Sequence, residues 1–335
     1  MIRRRRAGGS GVVDEGGAAG GGLAAGRRPH IGVVVLTTGV RPVELAAALR
    51  SAREQRDVDV EVVVVLNAPA AAAAPDVGGA GAAAPDVGGA AAAAPDVGDA
   101  TLLTPGRNLG IPAGRNLGVT ALGEACELVL FLDDDGELIG DHILAAAAER
   151  FAAEPRLGAL SLRIFDPVTG RTERRHVPRL RVGDPAVSSE VTTFLGGASI
   201  LRLAAFRAAG GLPGEFVYAH EETSLAWRIL DLGYRIRYAG DLAMAHPAVA
   251  PSRHDTYFHL TARNRVLLAR KHLPLIMAAA YLTVWVPLTL LRAKGGRRAS
   301  LRGFADGLRM AGVERRPIRW RTVWRMTLAG RPPLL

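Results

Sequence analysis

The sequence predicts an α/β fold in which a mostly parallel sheet is covered by helices. Short apolar runs at residues 31–36, 58–66 and 128–132 have the length and composition of buried strands. A helical pattern over residues 43–53, opened by Pro42, separates the first two runs. This strand–helix–strand unit is typical of a parallel sheet with both faces covered. The 335 residues, 49% of them hydrophobic, are enough for one large domain or two small ones.

Composition divides the chain into three regions. Residues 1–28 are rich in arginine and glycine, and we expect them to be disordered. Residues 29–270 are expected to form the folded domain. Within it, residues 68–100 carry three copies of a ten-residue Ala/Pro/Asp/Val/Gly repeat, which we interpret as a loop expanded by duplication. Residues 271–335 hold an apolar segment and a basic C-terminal segment.

The remaining elements are predicted from turn residues and apolar patterning. In chain order they are a short strand at 101–103, a glycine-rich segment at 108–116, a helix at 117–125, a helix at 141–154, a strand at 157–164, a polar excursion at 166–190, a glycine turn and strand at 194–201, helices at 203–209 and 221–232, and a strand at 234–238. The single cysteine, Cys126, excludes an intrachain disulfide and is expected to be a small core residue.

The most informative motif is the acidic run Asp133-Asp134-Asp135, which follows the third apolar run. Three carboxylates in so small a space repel one another unless a cation shares them. Alternation along a strand turns Asp133 and Asp135 to one side and Asp134 to the other. The run therefore predicts a site for a divalent metal that also holds a diphosphate, with a solvated acidic turn as the alternative.

Three further motifs accompany the acidic run. They are Thr37-Thr38 at the first strand end with Arg41 beyond it, the glycine-rich segment with Asn108, Gly110 and Arg115, and the acidic pair Glu221-Glu222 at a helix start with His246 after it. In this order and spacing the motifs resemble the family-2-type inverting glycosyltransferases of the GT-A fold, of the bacterial cell-surface glycan type. The resemblance covers roughly residues 30–270.

The resemblance implies a Rossmann-like GT-A sheet and a reaction. The chain would transfer a hexosyl or deoxyhexosyl group, with inversion, from a nucleotide-sugar donor to a saccharide or lipid-linked acceptor in cell-envelope or exopolysaccharide synthesis. A divalent cation, Mn²⁺ or Mg²⁺, would neutralise the leaving diphosphate, and Asp133, Asp135 and His246 are its implied ligands. Glu222, with Glu221 second, is the implied base for the acceptor hydroxyl. The alternative for Glu221 and Glu222 is that they are ordinary first-turn acids that satisfy the helix dipole. The alternative for His246 is that it is a surface histidine before a proline.

The resemblance also implies donor and acceptor contacts. The donor-binding residues would be Thr37, Thr38, Arg41, Asn67, Asn108, Gly110, Arg115, Asp133 and Asp134. Asn67 stands where the family often has an aspartate, so its contact to a nucleobase would carry no charge. Gly196 and Gly197 would leave room for the acceptor sugar. Trp227 would stack on a sugar, or else pack in the core.

The C-terminal region has a composition typical of membrane contact. Residues 273–291 are uncharged, and the twelve basic residues from Arg292 to Arg331 face only two acidic ones. If the catalytic domain is cytoplasmic, a spanning helix would place this positive charge on the opposite side of the membrane, against the positive-inside tendency. We therefore favour an interfacial or re-entrant helix broken near Pro287. A spanning helix and a helix packed on the soluble domain are the alternatives. An anionic membrane surface is thus the expected partner.

Nucleic acid is not expected as a partner because the sequence contains no recognisable nucleic-acid module. No apolar leader follows the N-terminal arginines, so we expect the catalytic part at the cytoplasmic face of the membrane. Two rival functions stay open. A sugar nucleotidyltransferase would share the sheet and the metal site, but it usually has a lysine-containing glycine loop after the first strand. A membrane-bound glycan- or nucleotide-binding protein would lack catalysis.

Overall fold

The structure is a computed structural model that describes residues 27–68, 94–248 and 256–334. Nearly all of the N-terminal region expected to be disordered, and most of the repeats, lie outside these residues. In the described part nine strands form one sheet: β1 (His30–Thr37), β2 (Asp59–Leu66), β3 (Thr101–Leu103), β4 (Leu128–Asp133), β5 (Glu137–Leu138), β6 (Leu157–Phe165), β7 (Ser189–Val191), β8 (Ala198–Arg202) and β9 (Arg235–Ala245). Their order is β3-β2-β1-β4-β8-β6-β9-β5, and β7 pairs with β9.

Helices cover the sheet. They are α1 (Pro42–Arg53), α2 (Ile111–Thr120), α3 (Ile143–Ala153), α4 (Leu203–Ala208), α5 (Glu221–Asp231), α6 (Tyr257–His272), α7 (Leu275–Arg292), α8 (Arg297–Arg309) and α9 (Trp320–Leu328), with short 3-10 turns at Arg174–His176 and Gly214–Phe216. Alternate residues of β4 pack on opposite sides, so that Phe131 joins one core with α5 and α6 while Leu130 joins another with α1 and α3. The α/β architecture predicted from the sequence is confirmed.

The strand directions place several chain ends at one edge of the sheet. β1 is parallel to β2 and β4, and β6 is parallel to β9. β8 is antiparallel to both β4 and β6, and therefore connects the two parallel groups. The carboxyl ends of β1, β4 and β9 and the start of β8 consequently meet at the same edge, which is where ligands bind in many open α/β sheets.

Helix α2 begins six residues earlier than predicted. The prediction treated residues 108–116 as an irregular glycine segment, but Pro112 starts the helix in its first turn. Two of its glycines allow close packing on β1, since a Cβ at Gly114 would lie 2.5 Å from Leu36 and one at Gly118 would lie 2.4 Å from Val34. These glycines, which favoured an irregular segment in the sequence, thus allow α2 to pack closely on β1.

The repeat and the last strand also differ from expectation. Val97, from the third repeat, is buried in the core beside α1, and Arg53 donates to its carbonyl at 2.6 Å. The repeats were interpreted as a loop, and the end of the third repeat nevertheless contributes this side chain to the core. β9 runs to Ala245, seven residues beyond the predicted strand end, because its second half pairs with the end of β6 after a register shift.

The C-terminal region is folded onto the domain. α7 is a continuous helix through Pro287, which corrects the predicted break. It is long and apolar enough to cross a membrane, and 11% of its 18-residue window is buried in the protein. The segment expected to be a basic tail contains α8 and α9, and Thr322 and Met326 of α9 are buried. Asp231 at the end of α5 accepts hydrogen bonds from Thr322 Oγ1 at 2.7 Å and from the Arg319 amide at 2.8 Å.

Candidate active site

The acidic run lies at the edge of the sheet, in the turn between β4 and β5. The Gly136 amide donates to the Asp133 carbonyl at 2.9 Å and closes this turn. β5 then pairs with the end of β9, with Glu137 opposite Ala245. The residue after Ala245 is His246, so this pairing carries its imidazole to the acidic run across more than one hundred residues of sequence.

Asp133, Asp135 and His246 form a cluster capable of holding a metal ion. One ligand atom from each lies within 4.8 Å of the others. His246 Nε2 is 3.1 Å from Asp135 Oδ1 and 3.7 Å from Asp133 Oδ2. Two carboxylates and one imidazole are a donor set that Mn²⁺ accepts, with further positions left for phosphate oxygens or water. β4 ends at Asp133, so Asp134 and Asp135 lie in the turn that follows, and Asp134 is not part of the cluster.

The cluster is strongly coupled electrostatically. Burial lowers the pKa of His246, but its hydrogen bond to Asp135 and the charges of both aspartates outweigh burial and raise the pKa above its ordinary value. The pKa of Asp135 is lowered, since the contacts with His246 and Arg41 outweigh the effect of burial. The carboxylate therefore stays ionised at neutral pH, as a metal ligand must be.

Two arginines neutralise the acidic run. Arg41 pairs with Asp135 and, at 2.9 Å, with Asp134. Arg115 pairs with Asp133 at 2.8 Å and is itself buried. Both arginines were expected to contact the donor directly. In the structure their guanidinium groups are engaged by protein carboxylates, because the three aspartates at the sheet edge need counter-charges.

Asp134 is a buried structural residue. Its Oδ2 accepts a hydrogen bond of 2.7 Å from Thr37 Oγ1, and both residues are nearly inaccessible. Burial raises the pKa of Asp134 to about 6, although the Thr37 hydroxyl and Arg41 act in the opposite direction. The Thr37 hydroxyl and the Asp134 carboxylate thus bind each other, and the nucleotide contacts expected for them stay predictions. Thr38, directly after the end of β1, is half-buried.

Asn67 and Asn108 shape the loop before α2. Asn67 Nδ2 donates to Asn108 Oδ1 at 3.0 Å, and the Leu109 amide donates to Asn67 Oδ1 at 2.7 Å. Gly110 has φ +78°, and a Cβ there would lie 2.8 Å from the Val217 carbonyl. The Asn67 amide is buried and used within the loop, and the nucleobase contact expected for it stays a prediction. Long-range packing of this loop on residue 217 could not be seen in the sequence.

The two residues of the acidic pair at the start of α5 differ in how far they are buried. Glu221 is buried, and burial together with the neighbouring Glu222 raises its pKa well above the ordinary value. Glu222 is partly exposed, and burial raises its pKa although the Arg115 guanidinium acts in the opposite direction. A carboxylate with a raised pKa and access to the site suits a general base. The geometry thus favours Glu222 over Glu221.

Gly196 and Gly197 separate the carboxylates of the site. A Cβ at Gly196 would lie 2.4 Å from Glu222 Oε1 and 2.6 Å from Arg115 Nη1. A Cβ at Gly197 would lie 1.9 Å from Asp133 Oδ2. These glycines were expected to leave room for a sugar, but the Glu222 and Asp133 carboxylates lie next to them. The glycines instead allow the metal cluster and Glu222 to approach each other.

Trp227 is a core residue. It is 4% exposed, and its ring makes edge contacts with His272 and Tyr281 at centroid distances of 6.4 Å. The stacking interaction with an acceptor sugar is therefore corrected in favour of core packing. Ser224, one turn earlier on α5, contacts His272 Nε2 at 2.6 Å.

His176, in the polar excursion, lies beside the cluster and was not predicted from the sequence. Its ring lies edge-on to His246 with centroids 6.2 Å apart. Burial and the nearby Arg175 lower the pKa of His176 to about 4, so the ring is neutral beside the cluster. Only the composition of the excursion was visible in the sequence, and an arginine-rich loop gave no signal for a position at the sheet edge.

Comparison with solved structures identifies the fold. The chain matches S. aureus TarS 1–349 in complex with UDP-GlcNAc with a TM-score of 0.54, 14% identity and coverage of 88% of this chain and 83% of that one. It matches the mannosyltransferase PcManGT from Pyrobaculum calidifontis, in complex with GDP-Man and Mn²⁺, with a TM-score of 0.52, 18% identity and coverage of 85% and 77%. The chain has the GT-A fold. The metal cluster lies at the sheet edge of this fold.

A third solved structure shows the same architecture over a shorter share of its length. GalNAc-T7 with UDP, GalNAc and Mn²⁺ matches with a TM-score of 0.55 and 11% identity, over 85% of this chain and 57% of that one. The chain spans 39% of a longer S. aureus TarS chain. No protein-family model matches the chain, and no curated protein matches it.

Proposed function

We propose that this chain is a metal-assisted glycosyltransferase that transfers a hexosyl or deoxyhexosyl group from a nucleotide-sugar donor with inversion, as family-2-type enzymes do. The observation that carries the proposal is the cluster of Asp133, Asp135 and His246, placed across Gly196 and Gly197 from Glu222. One part of this arrangement suits a diphosphate-bound cation and the other suits a base. The solved structures that share the fold support the proposal, since they hold UDP, UDP-GlcNAc or GDP-Man, two of them with Mn²⁺.

The proposed reaction assigns one proton transfer to this chain. A bound Mn²⁺ or Mg²⁺ would neutralise the charge that develops on the leaving diphosphate. Glu222 takes the proton of the acceptor hydroxyl while the acceptor oxygen attacks the anomeric carbon from the face opposite the diphosphate. The bond between that carbon and the β-phosphate oxygen breaks, and its electron pair stays on the phosphate. Attack from the opposite face inverts the anomeric configuration.

Arg115 supports both halves of this site. Its guanidinium pairs with Asp133 at 2.8 Å, and a Cβ at Gly196 would touch both this guanidinium and the Glu222 carboxylate. One buried positive charge thus lies between a metal ligand and the base. Burial raises the pKa of Glu222, which makes its carboxylate a better proton acceptor, and the Arg115 guanidinium opposes that rise.

The first experiment is calorimetric titration of metal-free protein with UDP, GDP, ADP and dTDP, with and without Mn²⁺. We expect one nucleotide to bind only with Mn²⁺, and Asp135→Asn to abolish this binding. Asp141→Asn is the matched control, because this carboxylate pairs with Arg56 on the surface away from the cluster. No binding by folded protein across the panel would contradict the proposal and favour a non-catalytic binding protein.

A second experiment separates the base from the donor site. Glu222→Gln should bind the nucleotide normally but lose about 10²–10⁴-fold in turnover, the usual contribution of a positioned base. Turnover is measured as nucleoside diphosphate released from the nucleotide sugar in the presence of a lipid-linked saccharide extract. Glu124→Gln, on an exposed turn, is the control. Equal turnover in both variants would exclude Glu222 as the base.

We further propose that the acceptor is a growing glycan or lipid-linked saccharide and that the enzyme works at the cytoplasmic face of the cell membrane. The outward face of α9 supports a membrane-bound enzyme. Trp320, Trp324 and Leu328 follow one another at four-residue intervals and are 52%, 66% and 85% exposed. Met326 on the opposite face is buried, and Arg321 is exposed beside the stripe. An apolar stripe bordered by arginine is typical of a helix that lies in an anionic interface.

Vesicle binding tests the membrane contact. The protein should sediment with vesicles that contain phosphatidylglycerol and much less with pure phosphatidylcholine. The double variant Trp320→Ser/Trp324→Ser should lose most of this binding and keep its nucleotide affinity. Val168→Ser is the control, because Val168 is 90% exposed on the polar excursion. Equal sedimentation of the double variant and the control would exclude α9 as the contact.

A further inference from the structure

A turn with unusual backbone geometry precedes the proposed base. Val217, Ala219 and His220 have φ of 62°, 69° and 68°. Positive φ is uncommon outside glycine and is a genuine outlier for a β-branched residue such as valine. In the described part of the chain only one other non-glycine residue, Asp57, has it. Such a turn persists only where the surrounding structure holds it in place.

The side chain of Asn264 on α6 holds this turn. Asn264 is fully buried, and its Nδ2 donates to the carbonyls of Phe216 at 2.8 Å, Tyr218 at 2.6 Å and Ala219 at 2.9 Å. Its Oδ1 accepts from Arg263 Nε at 3.0 Å, which fixes the orientation of the amide. One side chain therefore donates to three carbonyls of the turn, and the Phe216 carbonyl also accepts from the Tyr218 amide at 2.6 Å.

Arg263 adds a second connection between α6 and the turn. Its Nη2 donates to the carbonyls of Glu215 at 2.8 Å and Phe216 at 2.9 Å. With the three bonds of Asn264, two adjacent residues of one helix thus bind the turn from residue 215 to residue 219.

The turn connects the two halves of the candidate active site. On its donor side, the Ile111 amide at the start of α2 donates to the Val217 carbonyl at 2.8 Å, and Gly110 packs on the backbone of Val217. α2 carries Arg115, which pairs with Asp133. On its other side the turn runs directly into Glu221 and Glu222. Its conformation therefore sets where α5 begins relative to the metal cluster.

We propose that Asn264 is a positioning residue that fixes the Glu222 carboxylate against the metal cluster by holding the turn at residues 216–219. The inference rests on the proposed role of Glu222 as the base. Without the amide, the Tyr218 and Ala219 carbonyls lose the Asn264 donor, Arg263 continues to bind the Phe216 carbonyl, and the turn relaxes toward ordinary backbone angles. A displacement of about 1 Å at the base is enough to cost on the order of 10²-fold in rate.

Two substitutions separate the chemistry of the amide from its size. Asn264→Ala removes the donor and leaves a small space. Asn264→Asp keeps the shape but turns carboxylate oxygens toward carbonyl oxygens, so it should disturb the turn more than alanine does. Asn264→Ser keeps one donor and should retain part of the function. Gln55→Ala is the matched control, since Gln55 is also buried and its amide bonds Ser51 O, Gly140 O and the Leu144 amide, away from the site.

The experiment combines hydrogen exchange with turnover. In Asn264→Ala we expect faster amide exchange confined to residues 215–222, turnover reduced at least about 10-fold, and Mn²⁺-dependent nucleotide affinity within about threefold of wild type. Gln55→Ala should lose protection around residue 140 and keep its turnover. A lower kcat with unchanged donor KM distinguishes positioning of the base from general loosening of the fold.

Opposite results separate this inference from the proposed function. Unchanged exchange at residues 215–222 in Asn264→Ala, or turnover equal to that of Gln55→Ala, would overturn the positioning role and leave the glycosyltransferase proposal intact. Absence of nucleotide binding and turnover in wild type would overturn both. Should Asn264→Ala fail to fold, Asn264→Ser is measured instead, and full turnover with unchanged exchange in that variant counts against the inference.

Discussion

Gly197→Ala should disable the metal cluster through a single added methyl group. A Cβ at position 197 would lie 1.9 Å from Asp133 Oδ2, 2.0 Å from its Cγ and 2.2 Å from its Oδ1. The whole carboxylate therefore lies in the path of the new methyl group. Gly197 has no left-handed backbone angle, so the effect of alanine is steric. The methyl group can be accommodated only if Asp133 moves away.

The required movement is large for a metal ligand. Cβ contacts shorter than 3.0 Å are essentially never seen, so Asp133 must move by at least about 1 Å. Ligand distances in metal sites tolerate about 0.2 Å. We expect Mn²⁺ to bind about 10–100-fold more weakly, the range seen when the orientation of a metal ligand is disturbed. Overpacking should also cost about 1–3 kcal/mol of unfolding free energy.

Manganese titration followed by electron paramagnetic resonance measures the first effect, and urea unfolding measures the second. Gly214→Ala is the control, because a Cβ there would meet only Ala113 at an ordinary distance of 3.6 Å. Mn²⁺ affinity in Gly197→Ala equal to that of the control would refute the reasoning, since it would show that Asp133 is not a ligand or that the turn yields at no cost.

Two further predictions concern buried polar groups. Burial lowers the pKa of His272 to about 3, so below pH 6.5 the unfolded chain binds a proton that the native state does not. The free energy of unfolding therefore decreases as the pH is lowered through 6.5 toward 3. His272→Gln should reduce the loss of unfolding free energy between pH 7 and pH 5 by about 2 kcal/mol, measured in urea, and an equal loss in wild type would contradict this. Thr37→Val removes the donor to Asp134 and should cost about 1.5–3 kcal/mol at pH 7. Because the pKa of Asp134 is about 6, the cost should shrink at pH 5, and a pH-independent cost would count against an ionised Asp134.

Local elements were predictable where their pattern is continuous. β1, α1 and β3 lie within one or two residues of the predicted bounds, because alternation, a first-turn proline and short apolar runs are local signals. α2 was misplaced because its glycines were taken as breakers, whereas tight packing on β1 requires them. The continuous helix through Pro287 was missed for a related reason, since neighbouring contacts decide whether a proline interrupts a helix.

Residue types in the candidate site were predictable, but their contacts were not. The acidic run and His246 were found from motif order, and the structure brings them together through the β5–β9 pairing. Thr37, Arg41, Asn67 and Arg115 were expected to face a nucleotide. Each is instead engaged by another protein group, because carboxylates and amides at a sheet edge need partners that lie far away in sequence.

The sequence by itself determined the α/β class, the strand that carries the acidic run, and the order of the motifs, since these depend on patterns within about ten residues. Only the tertiary structure decided that Glu222 and not Glu221 is accessible, that Trp227 is a core residue, and that the basic C-terminal segment packs on α5. Burial, counter-charge and hydrogen-bond partnership arise between elements distant in the chain. A side chain's chemical role therefore depends on which neighbours the fold supplies.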